Sequence, residues 1–89
     1  KAGLIGLTKQ LAFEVAPRNI NVNAVCPSQT KTEMLRQSMS EKQIASLAEN
    51  IPLKRVAEIE EQVNPILFLC SQEASYITGA VLDVNGGQI

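Results

Sequence analysis

Residues 20–26 restrict the possible folds of this chain more than any other segment. Apolar side chains occupy alternate positions, and the run is entirely apolar at its end, over Ala24, Val25 and Cys26. A strand of this kind is typical of a parallel sheet that is covered by helices on both faces. Pro27 then ends the run. The segment therefore predicts a buried strand of an α/β protein.

Helical patterns lie on both sides of this strand. Residues 1–16 carry apolar side chains at helical spacing, and residues 58–70 carry a second stripe of the same kind. Pro65 lies inside the second stripe, which predicts a kink or a late start of that helix. Gly79 precedes a last predicted strand at residues 80–84, which is followed by an Asn-Gly-Gly turn.

The segment 28–54 is the least regular part of the chain and is the natural place for a mobile lid. Thr32 is positioned to cap one short helix, and Ser40 with Gln43 fits a capping box for another. Pro52 ends the second helix.

The order of elements is helix, strand, helices, strand, which predicts a parallel pair with a right-handed crossover. Both faces of such a sheet need helices, and two strands with a few helices do not supply that cover. We therefore expect an α/β unit that is incomplete on its own. Its missing strands come from a longer chain or from a partner. The helical pattern is already present at Lys1, and the sequence does not start with Met, which favours a longer chain over a partner.

Composition excludes several classes of function. The net charge of the 89 residues is −1 and only 3% are aromatic, so we expect no nucleic-acid partner. No apolar stretch approaches the roughly 20 residues of a membrane helix, so no membrane partner is expected. The chain has no His, which excludes His-based triads and His-ligated metals within it, and we expect no metal site. Cys26 and Cys70 are expected to be buried thiols in a reducing, cytoplasmic compartment.

Five motifs in order resemble the short-chain dehydrogenase/reductases, nearest to their 3-oxoacyl-carrier-protein reductases. They are the opening Lys1-Ala2-Gly3-Leu4 with Gly6-Leu7-Thr8, the strand at residues 21–27, the helix entry at residues 51–61, Tyr76-Ile77-Thr78-Gly79, and Val84-Asn85-Gly86-Gly87. The resemblance implies that residues 1–89 are the C-terminal segment of a single Rossmann-type domain with a doubly wound parallel sheet. Residues 28–54 then correspond to the variable substrate loop.

Lys1 is the one predicted catalytic residue in the chain. A residue four positions earlier on the same helix would face it. If that residue were a tyrosine, the ammonium would favour its phenolate and lower its pKa, so that it could pass a proton to a carbonyl oxygen near neutral pH. The resemblance implies this arrangement and adds that Lys1 also holds the cofactor ribose. The tyrosine, an upstream serine and the glycine-rich loop lie outside this chain, so the segment alone is expected to be inactive.

Residues 27–32 follow the end of a parallel strand, which is where ligands bind in open α/β sheets. The hydroxyls of Thr30 and Thr32, with main-chain N–H groups, are suited to hold an amide. The resemblance implies cofactor binding by Pro27, Ser28, Thr30 and Thr32, with contact to the nicotinamide carboxamide. Ser28 replaces the glycine that is usual in the family. A capped turn without a ligand remains the alternative interpretation.

Met34, Leu35 and Met39 are candidates to line an apolar acyl or ring pocket, because Met adapts readily to varied ligands. Simple packing of two short helices is the other interpretation. Tyr76, the only tyrosine, has no lysine after it at helical spacing, so we expect a buried structural residue. Asp83 and Asn85 are also expected to be structural.

The sequence supports two hypotheses about function. The first is an oxidoreductase that transfers a hydride between NAD or NADP, with NADP slightly favoured, and a small-molecule carbonyl or an acyl-carrier substrate. In this reading the chain is part of a homo-oligomer, a dimer or tetramer. The second is a non-catalytic segment that acts in assembly through its first helix and last strand, where Gly3 and Gly6 suit close helix contacts. A tyrosine four residues before Lys1 in the natural chain would favour the first.

Overall fold

The computed structural model describes residues 1–88. The helices and strands follow the predicted order. They are α1 (Ala2–Val15), a 3₁₀ turn (Ala16–Arg18), β1 (Ala24–Pro27), α2 (Glu33–Ser38), α3 (Glu41–Glu49), α4 (Ile59–Leu69), a second 3₁₀ turn (Gln72–Ala74) and β2 (Val81–Val84). The strands β1 and β2 pair in a parallel two-stranded sheet. This confirms the α/β class.

The chain divides into two compact units. The first unit contains Lys1–Cys26 and Pro65–Asp83, and therefore α1 and nearly all of the strand pair. The second contains Pro27–Asn64 with the segment that follows Asp83, and therefore α2, α3 and the start of α4.

In the first unit, α1 turns its small side chains inward. Thr8 and Ala12 are its buried residues, and the Thr8 hydroxyl donates to the carbonyl oxygen of Leu4 at 2.7 Å, so no polar group is left unpaired there. The helix gives way to the 3₁₀ turn that contains Pro17, and Asn19 then adopts a left-handed φ of 60°. Asn tolerates this conformation better than most residues, which explains the sharp stop.

The strand predicted for residues 20–26 is shorter in the structure, where β1 begins at Ala24. Side chains explain the difference. The Asn21 and Asn23 amides donate to the carbonyl oxygens of Ser75 and Ile77, at 3.2 Å and 3.1 Å. The Val22 N–H donates to the Thr78 hydroxyl at 3.0 Å. The chain before β1 therefore pairs with a loop and not with a strand.

In the second unit, both predicted helix caps are present. The Leu35 N–H donates to the Thr32 hydroxyl oxygen at 3.2 Å and caps α2. Ser40 and Gln43 form the reciprocal capping box of α3, with the two bonds at 3.2 Å and 2.8 Å. Each cap satisfies a donor that the helix itself leaves free.

The helix α4 begins at Ile59, so Pro65 lies inside it and not at its start. Proline has no N–H, and the carbonyl four residues earlier, on Glu61, therefore lacks its usual helical partner. The start is held by the Glu61 carboxylate, which accepts a hydrogen bond from the Glu58 N–H at 2.9 Å.

Few apolar side chains are buried among residues 1–88. The buried ones are Ala12, Ile51, Val56 and Ala74, whereas large residues of α1 and α4 such as Leu7, Phe13 and Leu67 are exposed. A chain of this size normally buries far more of its apolar surface. The two-stranded sheet is therefore not covered by this segment alone, as the sequence predicts.

Two burial predictions were wrong. Tyr76 is fully exposed, and Cys70 is also exposed, while Cys26 is half-buried. Cys70 follows the end of α4 and Tyr76 follows the second 3₁₀ turn, so both lie in connecting segments, which usually run over the surface.

Candidate functional site

Lys1 lies at the N-terminal cap of α1, in the first unit. Its ammonium nitrogen donates to Asp83 Oδ1 on β2 at 2.5 Å. The hydrogen bond to Asp83 raises the pKa of Lys1 above 10.5, with smaller attractive contributions from the Asp83 charge and from Cys26 that are opposed by partial desolvation. Sequence reasoning gave Asp83 only a structural role. No local signal pairs residues this distant in the chain.

Residues 27–32 form a tight loop at the end of β1, in the second unit. The Lys31 N–H donates to the Ala57 carbonyl at 2.8 Å, and the Ala57 N–H donates to the Gln29 carbonyl at 3.1 Å. The Thr32 N–H donates to the Thr30 carbonyl at 2.8 Å. The main-chain donors of Lys31 and Thr32 are therefore already engaged and are not free to hold a ligand amide.

Ser28 fits this loop without backbone strain. Within residues 1–88, the non-glycine residues with positive φ are Asn19 and Lys54, at 60° and 62°, so Ser28 is not one of them. The position therefore has no need of the glycine that is usual in the family. Its carbonyl oxygen also accepts a hydrogen bond from the Thr30 hydroxyl at 2.9 Å.

The hydroxyls of Thr30 and Thr32 differ in the hydrogen bond that each can still make. A hydroxyl has one hydrogen to donate and two lone pairs to accept. Thr30 donates its hydrogen to Ser28, so its oxygen remains available as an acceptor. Thr32 accepts the cap bond from Leu35, so its hydrogen remains available as a donor. The loop thus offers one acceptor and one donor, which is the pair that a primary amide requires.

A groove of about 550 Å³ runs along this loop in the second unit. It brings together six of the predicted site residues, Pro27, Ser28, Thr30, Thr32, Met34 and Leu35. Ile59, Gln62 and Val63 of α4 form its other wall. Polar groups near the loop and mostly apolar walls are typical of small-molecule sites.

Gln62 is a wall residue that the sequence did not single out. Its amide nitrogen donates to the Val84 carbonyl at 3.1 Å, while its buried Oε1 has no hydrogen-bond partner among residues 1–88. A glutamine on an amphipathic helix carries no signal that separates this role from a solvent-exposed one.

Met39 does not join the first groove. It lines a second groove of about 590 Å³, whose floor includes Ile44, Ala48 and Val56. Four cationic residues, Lys31, Arg36, Lys54 and Arg55, stand along this second groove with two acidic ones, Glu41 and Glu58. Met39 therefore lies in a different groove from Met34 and Leu35, so the three residues do not line one pocket in this structure.

Ion pairs neutralise part of the positive charge along the second groove. Lys31 lies 3.7 Å from Glu58, and Arg55 makes a two-bond pair with Glu61. The hydrogen bond from Arg55 is the main reason that the pKa of Glu61 is lowered to about 2. Arg36 forms no salt bridge with any of residues 1–88, so it keeps its charge available.

Two further findings concern the described part of the chain. No group of three or more His, Cys, Asp or Glu side chains within residues 1–88 is arranged to hold a metal ion. Over the same residues, every helix is too short or too polar to cross a bilayer.

Comparison with known proteins gives a consistent picture. The family described as enoyl-(acyl carrier protein) reductase matches residues 1–88. The chain is 55% identical to the 3-oxoacyl-(acyl-carrier-protein) reductase FabG of Aquifex aeolicus over 98% of its length, and 48% identical to FabG of Escherichia coli over the same share. In both cases it spans 35% of the relative, about a third.

A solved structure agrees with this assignment. YwfH, described as an NADPH-dependent reductase involved in bacilysin biosynthesis, matches with a TM-score of 0.88 and 36% identity. The match covers 99% of this chain and 37% of YwfH. The order of elements, the parallel strand pair and the matched sequence thus agree, and the chain belongs to the enoyl-(acyl carrier protein) reductase family of short-chain dehydrogenase/reductases.

Proposed function

We propose that this chain is the C-terminal segment of an NAD(P)H-dependent reductase that converts a carbonyl to an alcohol. The observation that carries the proposal is the loop at residues 27–32, where Thr30 leaves an acceptor and Thr32 leaves a donor along one groove. The relatives named FabG and the reductase YwfH support the same reaction class.

The residues of the groove fit a nicotinamide carboxamide. Its carbonyl oxygen requires a donor, which is the free hydrogen of Thr32, and its NH₂ group requires an acceptor, which is the free lone pair of Thr30. Pro27 and Ser28 shape the loop that holds both hydroxyls. The reduced cofactor, once bound, supplies a hydride to the carbonyl carbon.

Lys1 has the chemistry to assist proton transfer. One of its three N–H donors is used by Asp83, which leaves two for a ribose hydroxyl and a neighbouring phenol. An ammonium beside a phenol stabilises the phenolate and lowers the phenol pKa. In the proposed reaction a tyrosine four residues before Lys1 gives its proton to the carbonyl oxygen, so that hydride and proton together form the alcohol.

The substrate is proposed to be a 3-oxoacyl group on a carrier, because the FabG relatives are named for it. Met34 and Leu35, which line the first groove, would contact the apolar acyl chain. NADP is favoured over NAD, since YwfH is described as NADPH-dependent. We also propose a cytoplasmic homo-oligomer, a dimer or tetramer. The free thiols of Cys26 and Cys70 support a reducing compartment.

The test uses the longer protein that contains this segment. Oxidation of NADPH and NADH is followed with a 3-oxoacyl thioester as substrate. We expect turnover with preference for NADPH, and we expect Lys1→Ala to lose most of kcat in a protein that still melts cooperatively. Absence of cofactor binding by the folded longer protein would overturn the proposal. The isolated segment is expected to bind no cofactor.

The alternative function is a non-catalytic assembly segment. The observation in its favour is the exposed apolar surface of α1, which includes Leu4, Leu7, Leu11 and Phe13. Large exposed apolar patches mark protein contacts. The isolated segment is tested by sedimentation and by thermal melting. A stable oligomer without cofactor binding, formed by a natural chain that lacks the tyrosine, would favour this function. A cooperatively melting monomer would contradict the expected poor folding.

A further inference from the structure

We propose that Asp83 is a positioning residue for Lys1, one that fixes the place of the ammonium and offsets part of its charge. The inference rests on the proposed function, in which Lys1 acts on a phenol and a ribose. Its basis is the bond of 2.5 Å between Lys1 Nζ and Asp83 Oδ1 within the first unit.

The bond to Asp83 restricts the position of the Lys1 ammonium. Lys1 is joined to its helix through a flexible stem of four carbons, and such an ammonium has many accessible positions. Asp83 is a short side chain on β2, a strand that is itself hydrogen-bonded to β1. A bond from the flexible group to the short one on the strand therefore selects one position of the ammonium and leaves its two remaining hydrogens free.

Asp83 also changes the electrostatic environment of the Lys1 ammonium. Among residues 1–88, two titratable groups act on the Lys1 ammonium: Asp83 from β2 and Cys26 from β1. The hydrogen bond to Asp83 is the largest influence, and it raises the pKa of Lys1. The carboxylate thus keeps Lys1 protonated, but its negative charge also weakens the field that Lys1 exerts on a nearby phenol.

A positioning role and a purely structural role of the pair differ in their expected effect on folding stability. The Lys1 and Asp83 side chains are 53% and 46% exposed. Ion pairs with this much solvent contact contribute little to folding stability. Removal of the Asp83 charge is therefore expected to change the behaviour of Lys1 far more than the melting of the protein.

The first experiment measures Lys1 directly, in the longer protein and without turnover. Lysines are labelled by reductive ¹³C-methylation, the Lys1 signal is assigned with Lys1→Arg, and its titration midpoint is followed by NMR. We expect a lower midpoint in Asp83→Asn and recovery towards wild type in Asp83→Glu. Glu14→Gln is the matched control, since it removes an exposed carboxylate from α1 itself and should leave the midpoint unchanged.

The second experiment measures the pH dependence of reduction. Reduction needs the protonated phenol, so its rate falls as pH rises through the phenol pKa. In Asp83→Asn the Asp83 carboxylate no longer offsets the charge of Lys1, so Lys1 lowers the phenol pKa further. The fall of kcat/KM at high pH should therefore occur at a lower pH than in wild type. A displaced ammonium should also lower kcat, by up to about 100-fold for a shift of an ångström.

The outcomes separate this inference from the proposed function. If wild type binds and oxidises NADPH but Asp83→Asn leaves both the Lys1 midpoint and the pH profile unchanged, the positioning role is overturned. If wild type binds no cofactor, the proposed function is overturned whatever the midpoints show. If Asp83→Asn does not fold, the Lys1 titration midpoint of the wild type is measured at increasing salt concentration. An exposed ammonium that is paired with a carboxylate must lose its raised pKa as salt increases, and a midpoint that does not fall overturns the positioning role.

Discussion

The Arg55 guanidinium donates two hydrogen bonds to the Glu61 carboxylate, at 2.5 Å and 2.7 Å. The same carboxylate accepts the Glu58 N–H at 2.9 Å, so it joins the loop before α4 to the first turn of that helix. These bonds, first the one from Arg55, lower the pKa of Glu61 from 4.5 to about 2. A carboxylate at a helix N-terminus is also favoured by the helix dipole.

Glu61→Gln should make the protein less stable at neutral pH and less sensitive to acid. A folded-state pKa below the unfolded value means that the charged carboxylate stabilises the fold at pH values above 4.5. That stabilisation is lost as the pH falls from 4.5 to about 2. The melting temperature of the longer protein is measured across this range for wild type and variant. The difference between them should be largest near neutral pH and should shrink towards pH 2.

Glu60→Gln is the control for this prediction. It removes a neighbouring carboxylate in the same helical turn, outside the pair with Arg55. Its melting temperature should stay parallel to that of wild type over the same pH range. A constant difference between Glu61→Gln and wild type down to pH 2 would contradict the assigned role of Arg55.

The features that the sequence predicts well are local ones. The cap at Thr32 and the capping box at Ser40 and Gln43 each join residues three positions apart, so the pattern contains the whole interaction. The order of elements follows from the apolar periodicity in the same way. The loop at residues 27–32 was likewise placed at the end of a strand, because Pro27 ends the apolar run, whereas cofactor binding by Thr30 and Thr32 stays a prediction.

Features that depend on distant partners were missed. Lys1 and Asp83 are at opposite ends of the chain, and nothing in either local pattern pairs them. The start of β1 was placed too early because Asn21 and Asn23 resemble the polar face of a strand, yet their amides bond to a loop. Tyr76 was expected to be buried because no lysine follows it at helical spacing and it lies in the Tyr-Ile-Thr-Gly motif, but neither feature reports what packs on the ring, which is fully exposed.

Gly86→Ala should be strongly destabilising, by about 2–5 kcal/mol, of which about 1–2 kcal/mol comes from the left-handed backbone and about 1–3 kcal/mol from the clash. Gly86 has a φ of +63°, and an added Cβ would lie 2.7 Å from Cγ2 of Ile51, which is 1% exposed. A buried side chain cannot move away without disturbing the second unit. The free energy of unfolding is measured by denaturant titration of the longer protein.

Gly79→Ala is the control that separates the clash with Ile51 at position 86 from the strain of a left-handed backbone. Gly79 has a similar φ of +73°, but an added Cβ would meet Ala12 Cβ at 3.5 Å, an ordinary contact. We expect a smaller loss of stability, of about 1–2 kcal/mol from the left-handed backbone alone. Equal losses in the two variants would show that the contact with Ile51 is not the cause.

Asn23→Asp should destabilise the protein by about 1–3 kcal/mol. The Asn23 amide donates to the Ile77 carbonyl at 3.1 Å and accepts from the Ala80 N–H at 3.0 Å. A carboxylate keeps the acceptor but loses the donor, so the Ile77 carbonyl oxygen loses its partner, and its partial negative charge faces a carboxylate oxygen. Asn21→Asp is the control, because Asn21 is exposed and makes a single bond of 3.2 Å. A larger loss in the control would contradict this account.

Substitutions of Thr32 should separate its role as a helix cap from its proposed role towards the cofactor. Asn is as good a cap as Thr, so Thr32→Asn should change stability little, whereas Thr32→Val should cost about 1 kcal/mol through loss of the bond from Leu35. Thr32→Ser keeps both the cap and the hydroxyl hydrogen. If the hydroxyl hydrogen of Thr32 binds a carboxamide, KM for NADPH should stay near the wild-type value in Thr32→Ser and rise in Thr32→Val.

The Asn variant decides between the two roles, because its amide caps α2 but presents different geometry to the groove. A raised KM with unchanged stability in Thr32→Asn would mean that the hydroxyl contacts the cofactor in addition to capping the helix. If KM instead follows stability across Ser, Asn and Val, the cap alone explains Thr32, and the amide-binding function of the loop would have to rest on Thr30.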